Sequence, residues 1–304
     1  MITLIKLSSL IIFVMLNKFT SDYVVLCISI SSFSQLKSMK IVRNLELHII
    51  HSCNLHCESC AHYSNQYHQG LVTLGEAAQW FEQWQGRVQP ISFSLLGGEP
   101  TLHPQLAEFV PLVKKYFPHS KLRLVTNGFF LERHPDLPRF LRSYPRAELH
   151  ISIHHDSPEY VSHLQPQLDL VFQWQQEYEI SIKILNSQKY WTRRYYGVGS
   201  QMEPFADNQP RQSWENCPAK HCLQLFQGQL WKCPPLAYLQ LQAKKYSLSE
   251  YWQPYLNYTP LSSNCTEPEL HEFLGREDES YCAMCPSEPQ IFSLPNPIEN
   301  ISVK

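Results

Sequence analysis

From residue 41 onward, apolar and polar positions follow two periods that take turns along the chain. Over Ile41–Ile50 the period is two, with Leu45, Leu47 and Ile49 set against Glu46 and His48, which predicts a strand. The period then lengthens. Thr73-Leu74-Gly75-Glu76 has the form of a capping box, and Ala77, Trp80, Phe81 and Trp84 follow at i, i+3, i+4 and i+7, one apolar helix face. Ile91–Leu96 predicts a short strand. Gln105–Phe117 predicts a helix with Leu106, Phe109, Val110 and Val113 inward and a kink at Pro111. Lys121–Thr126 reads as a strand and Arg133–Tyr144 as a short helix. Across Glu148–His154, Leu149, Ile151 and Ile153 alternate with His150, Ser152 and His154. Ser157-Pro158 supplies an N-cap and N1 proline for a helix reaching Glu179, and Ser181–Leu185 is the next strand.

This β-α alternation over residues 41–185 predicts parallel strands with helices outside. If Leu149, Ile151 and Ile153 face the helices, His150, Ser152 and His154 face the other way. A polar inner face suits a partly open barrel with a ligand in its lumen better than a flat sheet covered on both sides. The strand count is about five or six, short of eight.

The two ends differ from this middle. Residues 1–38 hold two apolar runs, Leu10–Leu16 and Tyr23–Ile30, neither near the ~20 residues of a membrane span. Lys6 before the first run suggests a signal peptide, but no clean cleavage site follows. The expectation is a non-folding extension or a start mis-assigned upstream of Met39. Residues 191–304 are rich in Gln, Pro, Tyr and Trp, show little periodicity and contain six of the ten cysteines. They read as a second, loop-rich domain, with residues 39–190 as the first.

Composition narrows the function. Charged residues are 17% of the chain and the formal net charge is −2, so no field steers nucleic acid or an anionic membrane toward it. Glycine is scarce, ten in 304 residues where ~7% usage would give roughly twenty, so a glycine doublet is informative. The cysteines are clustered, which points to metal. Cys53, Cys57 and Cys60 form C-x3-C-x2-C directly after the first strand. Three thiolates in one loop hold three corners of an iron–sulfur cube and leave one iron open; structural zinc or a plain electron carrier are the other readings. The doublet itself, Gly97-Gly98-Glu99-Pro100, ends the next strand, at the same barrel end as the cysteines. Two glycines permit a close backbone approach to a ligand, and Glu99 suits a cationic amine.

Together these motifs resemble the radical S-adenosylmethionine (radical SAM) superfamily, with CxxxCxxC after the first strand and a GGEP-type turn after the second. The resemblance implies a partial (β/α)6 barrel in which Cys53, Cys57 and Cys60 hold a [4Fe–4S] cluster. SAM would bind the open iron, with Gly97, Gly98, Glu99 and Pro100 against its amine, and the enzyme would be of oxidoreductase or transferase type. Thr126-Asn127-Gly128 matches the family's strand-ending TNG, and Ser152 its serine, which implies Asn127 and Ser152 near the ribose or carboxylate of SAM. Departures touch the nucleotide contacts. Ser59 stands where an aromatic is common, with His62 or Tyr63 as substitutes, and the SxD that follows reads Ser152-Ile153-His154.

Cys217, Gly228 and Cys233 give C-x10-G-x4-C, and Cys282 and Cys285 a later C-x2-C. This resembles the twitch or SPASM extensions of the family and implies a second iron–sulfur cluster, with Gly228 turning a hairpin. Zinc on the same thiolates is the other reading. Cys222 and Cys265 are spare, and Cys27 has no role. Of His154, His155 and Asp156, adjacent in a strand, only one can enter the lumen. Trp191–Tyr196, with Arg193 and Arg194 among aromatics, reads as a solvated loop, with binding of a substrate acid or phosphate as the other reading. The expectation is a cytoplasmic enzyme that modifies a peptide or small metabolite and draws electrons from flavodoxin or ferredoxin. An electron-transfer or metal-stabilised binding protein, or a barrel that has lost activity, is the alternative.

Overall fold

The computed structural model describes residues 39–298. Ahead of them it gives only the backbone of β1 (Ile2–Leu7), β2 (Leu10–Leu16) and β3 (Tyr23–Ser29), paired antiparallel in order. The expectations for residues 1–38, Cys27 included, otherwise lie outside the described residues. No helix among the described residues is long and apolar enough to cross a membrane.

Five strands follow one another through parallel crossovers: β4 (Lys40–His48), β5 (Val88–Leu96), β6 (Lys121–Thr126), β7 (Ala147–Ile153) and β8 (Ser181–Asn186). Between them run α1 (Leu74–Trp84), α2 (Phe109–Tyr116), α3 (Leu137–Arg142) and α4 (Pro158–Tyr178). Beyond α5 (Pro210–Glu215), β9 (Cys222–Phe226) pairs parallel with the free edge of β4, and β10 (Gln229–Trp231) pairs antiparallel with β9. The result is an α/β fold with a mostly parallel seven-stranded sheet, ordered β10-β9-β4-β5-β6-β7-β8, whose ends do not pair with each other. The expected count of five or six parallel strands holds. The sixth comes from the stretch read as loop-rich, so the sheet crosses the change in composition near residue 190.

The side-chain alternation sorts the two faces. Leu45, Leu47, Phe93, Leu95, Leu122, Leu124, Leu149 and Ile151 are wholly buried in one core cluster with Phe81, Trp84, Phe109 and Val113 of the helices. The other face is polar and in register: Gln224, Glu46, Ser94, Arg123 and Glu148 are successive partners across five strands. Within this layer and the one below it, Asn44 and Gln224 donate to the Glu46 carboxylate at 2.6 and 2.7 Å, and Ser94 donates to Asn44. Burying those groups is tolerable because they satisfy one another.

Local signals explain most boundaries. Thr73 and Glu76 form the full capping box of α1, and Ser157 caps α4. Pro111 does not kink a helix: α2 begins at Phe109, so Pro111 lies in its first turn, where a missing N–H breaks no intrahelical bond. β5 starts at Val88, earlier than the sequence suggests, and runs through Pro90. There it has only β4 beside it, because the β6 ladder begins at Ser92. The segment expected as one helix over Arg133–Tyr144 is a 3-10 turn, Leu131–Arg133, and then α3. Gln227 and Gly228 both take positive φ (53° and 75°), closing the β9–β10 hairpin with the two-residue turn the glycine implied.

That hairpin is tied to the barrel by Trp84, fully buried on α1, whose Nε1 donates to Gly228 O at 2.9 Å. Replacing it, Trp84→Phe, leaves a buried carbonyl unpaired and is expected to cost about 1–3 kcal/mol in denaturant unfolding, with faster amide exchange in the hairpin. An unchanged unfolding midpoint would show the tie to be unimportant.

Candidate active site

Beyond β4 and β5 the two chains continue side by side. Ile49 N–H donates to Leu96 O (2.8 Å), Gly98 N–H to Ile50 O (2.7 Å) and Glu99 N–H to Ser52 O (2.9 Å). A Cβ on Gly97 would meet Ile50 O at 2.8 Å, and one on Gly98 would meet Ser52 O at 2.2 Å. The glycines are therefore required by the approach of the cysteine loop itself, one residue before Cys53. Sequence reasoning assigned that close approach to a ligand.

Glu99 is the next fastener. Its carboxylate, 1% exposed, accepts from Thr101 N (2.9 Å), Thr101 Oγ1 (2.6 Å), Thr126 Oγ1 and Asn127 N (2.7 Å). Burial pushes its pKa up and these donors pull it back. Three donors crowd Oε1, while Oε2 takes only Asn127 N and retains a lone pair. Pro100 opens a 3-10 turn, Pro100–Leu102, behind this carboxylate. Asn127 donates Nδ2 to Asn54 Oδ1 of the cysteine loop (2.7 Å) and accepts from Phe129 N (3.1 Å). The ends of β5, β6 and the cysteine loop are thus one hydrogen-bonded unit.

Cys53, Cys57 and Cys60 line a single cavity of about 250 Å³. Gly97, Gly98, Glu99, Asn127 and Ser152 share that lining; Pro100 does not. His62 lines it as well, whereas Tyr63 is buried away from it and donates to Pro235 O. Of His154, His155 and Asp156, only His154 reaches the cavity. Burial pushes the Cys53, Cys57 and Cys60 thiols up, so without a metal they hold their protons. Burial pushes His154 down to about 4.

Ser59, at the position where the family often has an aromatic, has φ 59° and is buried. Its hydroxyl accepts from Tyr195 N (3.1 Å) and donates to Tyr195 O (3.2 Å). Trp191 Nε1 donates to Glu58 O (2.7 Å), and Arg193 pairs with the Glu58 carboxylate. Trp191–Tyr196 is accordingly no solvated loop: it clamps the outer side of the cysteine loop. No residue pattern in that segment announced the contact, because its partners lie more than 130 positions earlier.

The second cysteine set also gathers. Cys217, Cys233, Cys282 and Cys285 line one cavity of about 60 Å³ with Lys220, Lys232 and Trp214. Cys233 stands at the N-cap of α6 (Pro234–Lys245), and Cys282 lies on a 3-10 turn, Ser280–Met284, that ends at Cys285. Burial pushes Cys282 up to about 11 and Cys285 to about 12. Cys222 sits instead beside Asn44 and Glu46 on the polar face of the sheet, and Cys265 lies 3.1 Å from the Arg87 guanidinium, so neither joins the four. All nine described cysteines are free of disulfides. Among the described residues no three His, Cys, Asp or Glu side chains are arranged to hold a single metal ion.

One group escaped the sequence reading, which treated the fourteen histidines as scattered. His48, His51 and His62 pack together with Tyr238 of α6, with the His48 ring centroid 4.9, 5.0 and 4.6 Å from the other three. Both ring nitrogens of His48, Nδ1 of His51, and Nε2 of His62 and of His68 are buried without a partner among the described residues. The only available hint was period-two placement, which puts His48 on the inner face after Glu46.

Two outcomes follow from this geometry. Gly98→Ala must push the cysteine loop away from β5. It is expected to leave far-ultraviolet circular dichroism near native while abolishing iron uptake on anaerobic reconstitution; full uptake would contradict the role given to the crossing. Burial holds the His48 and His68 pKa values below 6.5, so the folded state keeps both neutral and the unfolded chain takes up their protons. Stability is therefore complete above pH 6.5 and falls as the pH drops below it, by up to about 1.4 kcal/mol per pH unit for each proton. Between pH 7.5 and 5.5, His48→Phe should lose less stability in denaturant titrations than the unaltered protein; equal losses would contradict it.

Residues 47–175 match the family model described as the radical SAM superfamily. No curated protein matches the chain. Among solved structures, BtrN in complex with AdoMet and 2-DOIA is 15% identical, covering 83% of this chain and 98% of that one at a TM-score of 0.47. SuiB of Streptococcus suis, bound to S-adenosylmethionine, is 16% identical over 48% of this chain and 34% of its own, TM-score 0.39. Native anSMEcpe with bound AdoMet and Cp18Cys peptide is 18% identical over 47% and 42%, TM-score 0.37. The chain thus spans about a third of the length of SuiB, and likenesses at these scores add nothing to the family match. The matched stretch, about two fifths of the chain, holds the cysteine loop, the glycine turn and the β5–β7 ends that line the cavity, so it is the cavity-forming part of the chain that matches the radical SAM superfamily.

Proposed function

We propose that Cys53, Cys57 and Cys60 anchor a [4Fe–4S] cluster and that S-adenosylmethionine binds beside it in the same cavity. The observation that carries this reading is the composition of the lining: three thiols and no fourth, facing the Gly97–Glu99 turn and Ser152. Soft thiolates suit iron and sulfide, and iron would offset the burial that keeps these thiols protonated. A reduced cluster held by Cys53, Cys57 and Cys60 would supply the one electron needed for reductive cleavage of SAM to methionine and a 5′-deoxyadenosyl radical.

The chain's own groups have defined tasks in this reading. Glu99 Oε2 accepts the SAM ammonium with its spare lone pair. Ser152 Oγ, free of partners among the described residues, and the remaining amide hydrogen of Asn127 face the ribose or carboxylate. Leu55, Leu96, Val125 and Trp191 give the cavity apolar walls that limit water. Cys217, Cys233, Cys282 and Cys285 hold a second cluster, with every corner ligated, in an electron-relay or supporting role. The residues at 191–304 then act as an auxiliary-cluster region appended to the core. SuiB is solved bound to its precursor peptide SuiA and BtrN with 2-DOIA; we propose a peptide or small metabolite as substrate here. Flavodoxin or ferredoxin would supply electrons, in the reducing cytoplasm where thiolates persist.

The test is anaerobic reconstitution, iron and sulfide counting, and assay of 5′-deoxyadenosine released from SAM with dithionite. The triple change Cys53/Cys57/Cys60→Ala is expected to abolish release and remove about four irons, leaving the second site filled. Release by that variant would refute the site, and iron uptake without any SAM cleavage by the unaltered protein would make it an electron carrier instead.

A further inference from the structure

One contact crosses the cavity from its far wall to the cysteine loop. His154, the residue after β7, places Nδ1 3.7 Å from Cys57 Sγ, within hydrogen-bond range for sulfur. Its position is fixed from two sides. The His154 backbone N–H donates to Tyr160 Oη at 3.1 Å, and its ring stands edge-on to Trp191, centroids 5.3 Å apart. Trp191 is itself pinned by its bond to Glu58 O. Cys57 is the most deeply buried of the three cysteines and has no other hydrogen-bonding side chain beside its sulfur among the described residues.

Chemistry decides the direction of this bond. A thiolate that ligates iron has lone pairs and no proton, so it can only accept. The ring nitrogen facing it must carry the hydrogen. Hydrogen bonds to a cluster's sulfurs draw negative charge from them and favour the state with one more electron.

We infer that His154 is a positioning residue that donates Nδ1–H to the Cys57 sulfur and raises the reduction potential of the cluster held there. The inference rests on the cluster reading above. The same bond fixes the ring so that Nε2, which has no partner among the described residues, is the nitrogen left to face a bound molecule.

The experiment compares full-length reconstituted protein with His154→Leu, which removes the donor, and His154→Asn, whose amide N–H lies near the Nδ1 position. Iron and sulfide are counted, and the midpoint potential is followed by electron paramagnetic resonance of the signal that responds to added SAM. All three proteins are expected to bind equal iron. His154→Leu should titrate at a lower potential, so that its reduced fraction falls several-fold at the poise that half-reduces the unaltered protein. His154→Asn should stay close to the unaltered value. An unshifted midpoint in His154→Leu, or His154→Asn behaving like it, overturns the inference. Loss of iron or of the SAM response in either variant also overturns it, since His154 would then be a ligand or a folding element. Should the unaltered protein show no SAM-responsive iron signal, the enzyme reading itself fails, which is a separate result.

Discussion

The site depends on two short backbones lying closer together than side chains permit. Where Gly97 and Gly98 pass Ile50 and Ser52, the chains exchange hydrogen bonds at 2.7–2.9 Å, and any Cβ there would overlap a carbonyl. Everything nearer the cavity hangs from that crossing. It delivers Cys53 one residue later, and it hands Glu99 to Thr126 and Asn127, which in turn reach back to Asn54. The three sulfurs are therefore positioned by backbone geometry, with their own side-chain contacts secondary. Strain is stored alongside: Ser59, Tyr63 and Tyr67 all take left-handed φ within the same loop.

The polar face of the sheet poses an energetic contrast. Around Glu46 every buried group finds a partner, through Asn44, Gln224 and the Tyr238 hydroxyl. Further along β4, the three histidines beside Tyr238 leave four ring nitrogens unpaired among the described residues. A fold tolerates such a cost where other contacts over-determine it. Here β9 against β4, Tyr195 against Ser59 and Tyr63 against Pro235 all pull the second half of the chain onto the first. Cys233 and Cys285 pack against the main core, while Cys57 and Cys53 belong to a smaller apolar cluster with Leu55, Phe129 and Tyr160.

How much of this was legible in sequence follows from the range of each interaction. Period and capping located β4, β6, β7, α1 and α4 to within a residue or two, because those signals are local. Motif order placed the cysteines and the glycine turn at one end of the sheet. The meaning of the glycines was not legible: a doublet says that something approaches closely, and the partner proved to be Ser52. Nor was β9, whose pairing with β4 joins residues about 180 positions apart across a segment with little periodicity. Ser59 read as a missing aromatic, yet its hydroxyl is a clamp on Tyr195, a contact that no spacing rule encodes. The histidine group was lost for the same reason: single residues from β4, the cysteine loop and its return meet only after folding.

The central claim is that three cysteines leave one iron for SAM to bind. Mössbauer spectroscopy of protein reconstituted with iron-57 and titrated anaerobically with SAM tests it most directly. The account predicts that a single iron site of the cube changes its isomer shift as SAM is added, while its neighbours stay as they were. A spectrum indifferent to saturating SAM, with every iron of the cube equivalent throughout, would contradict it.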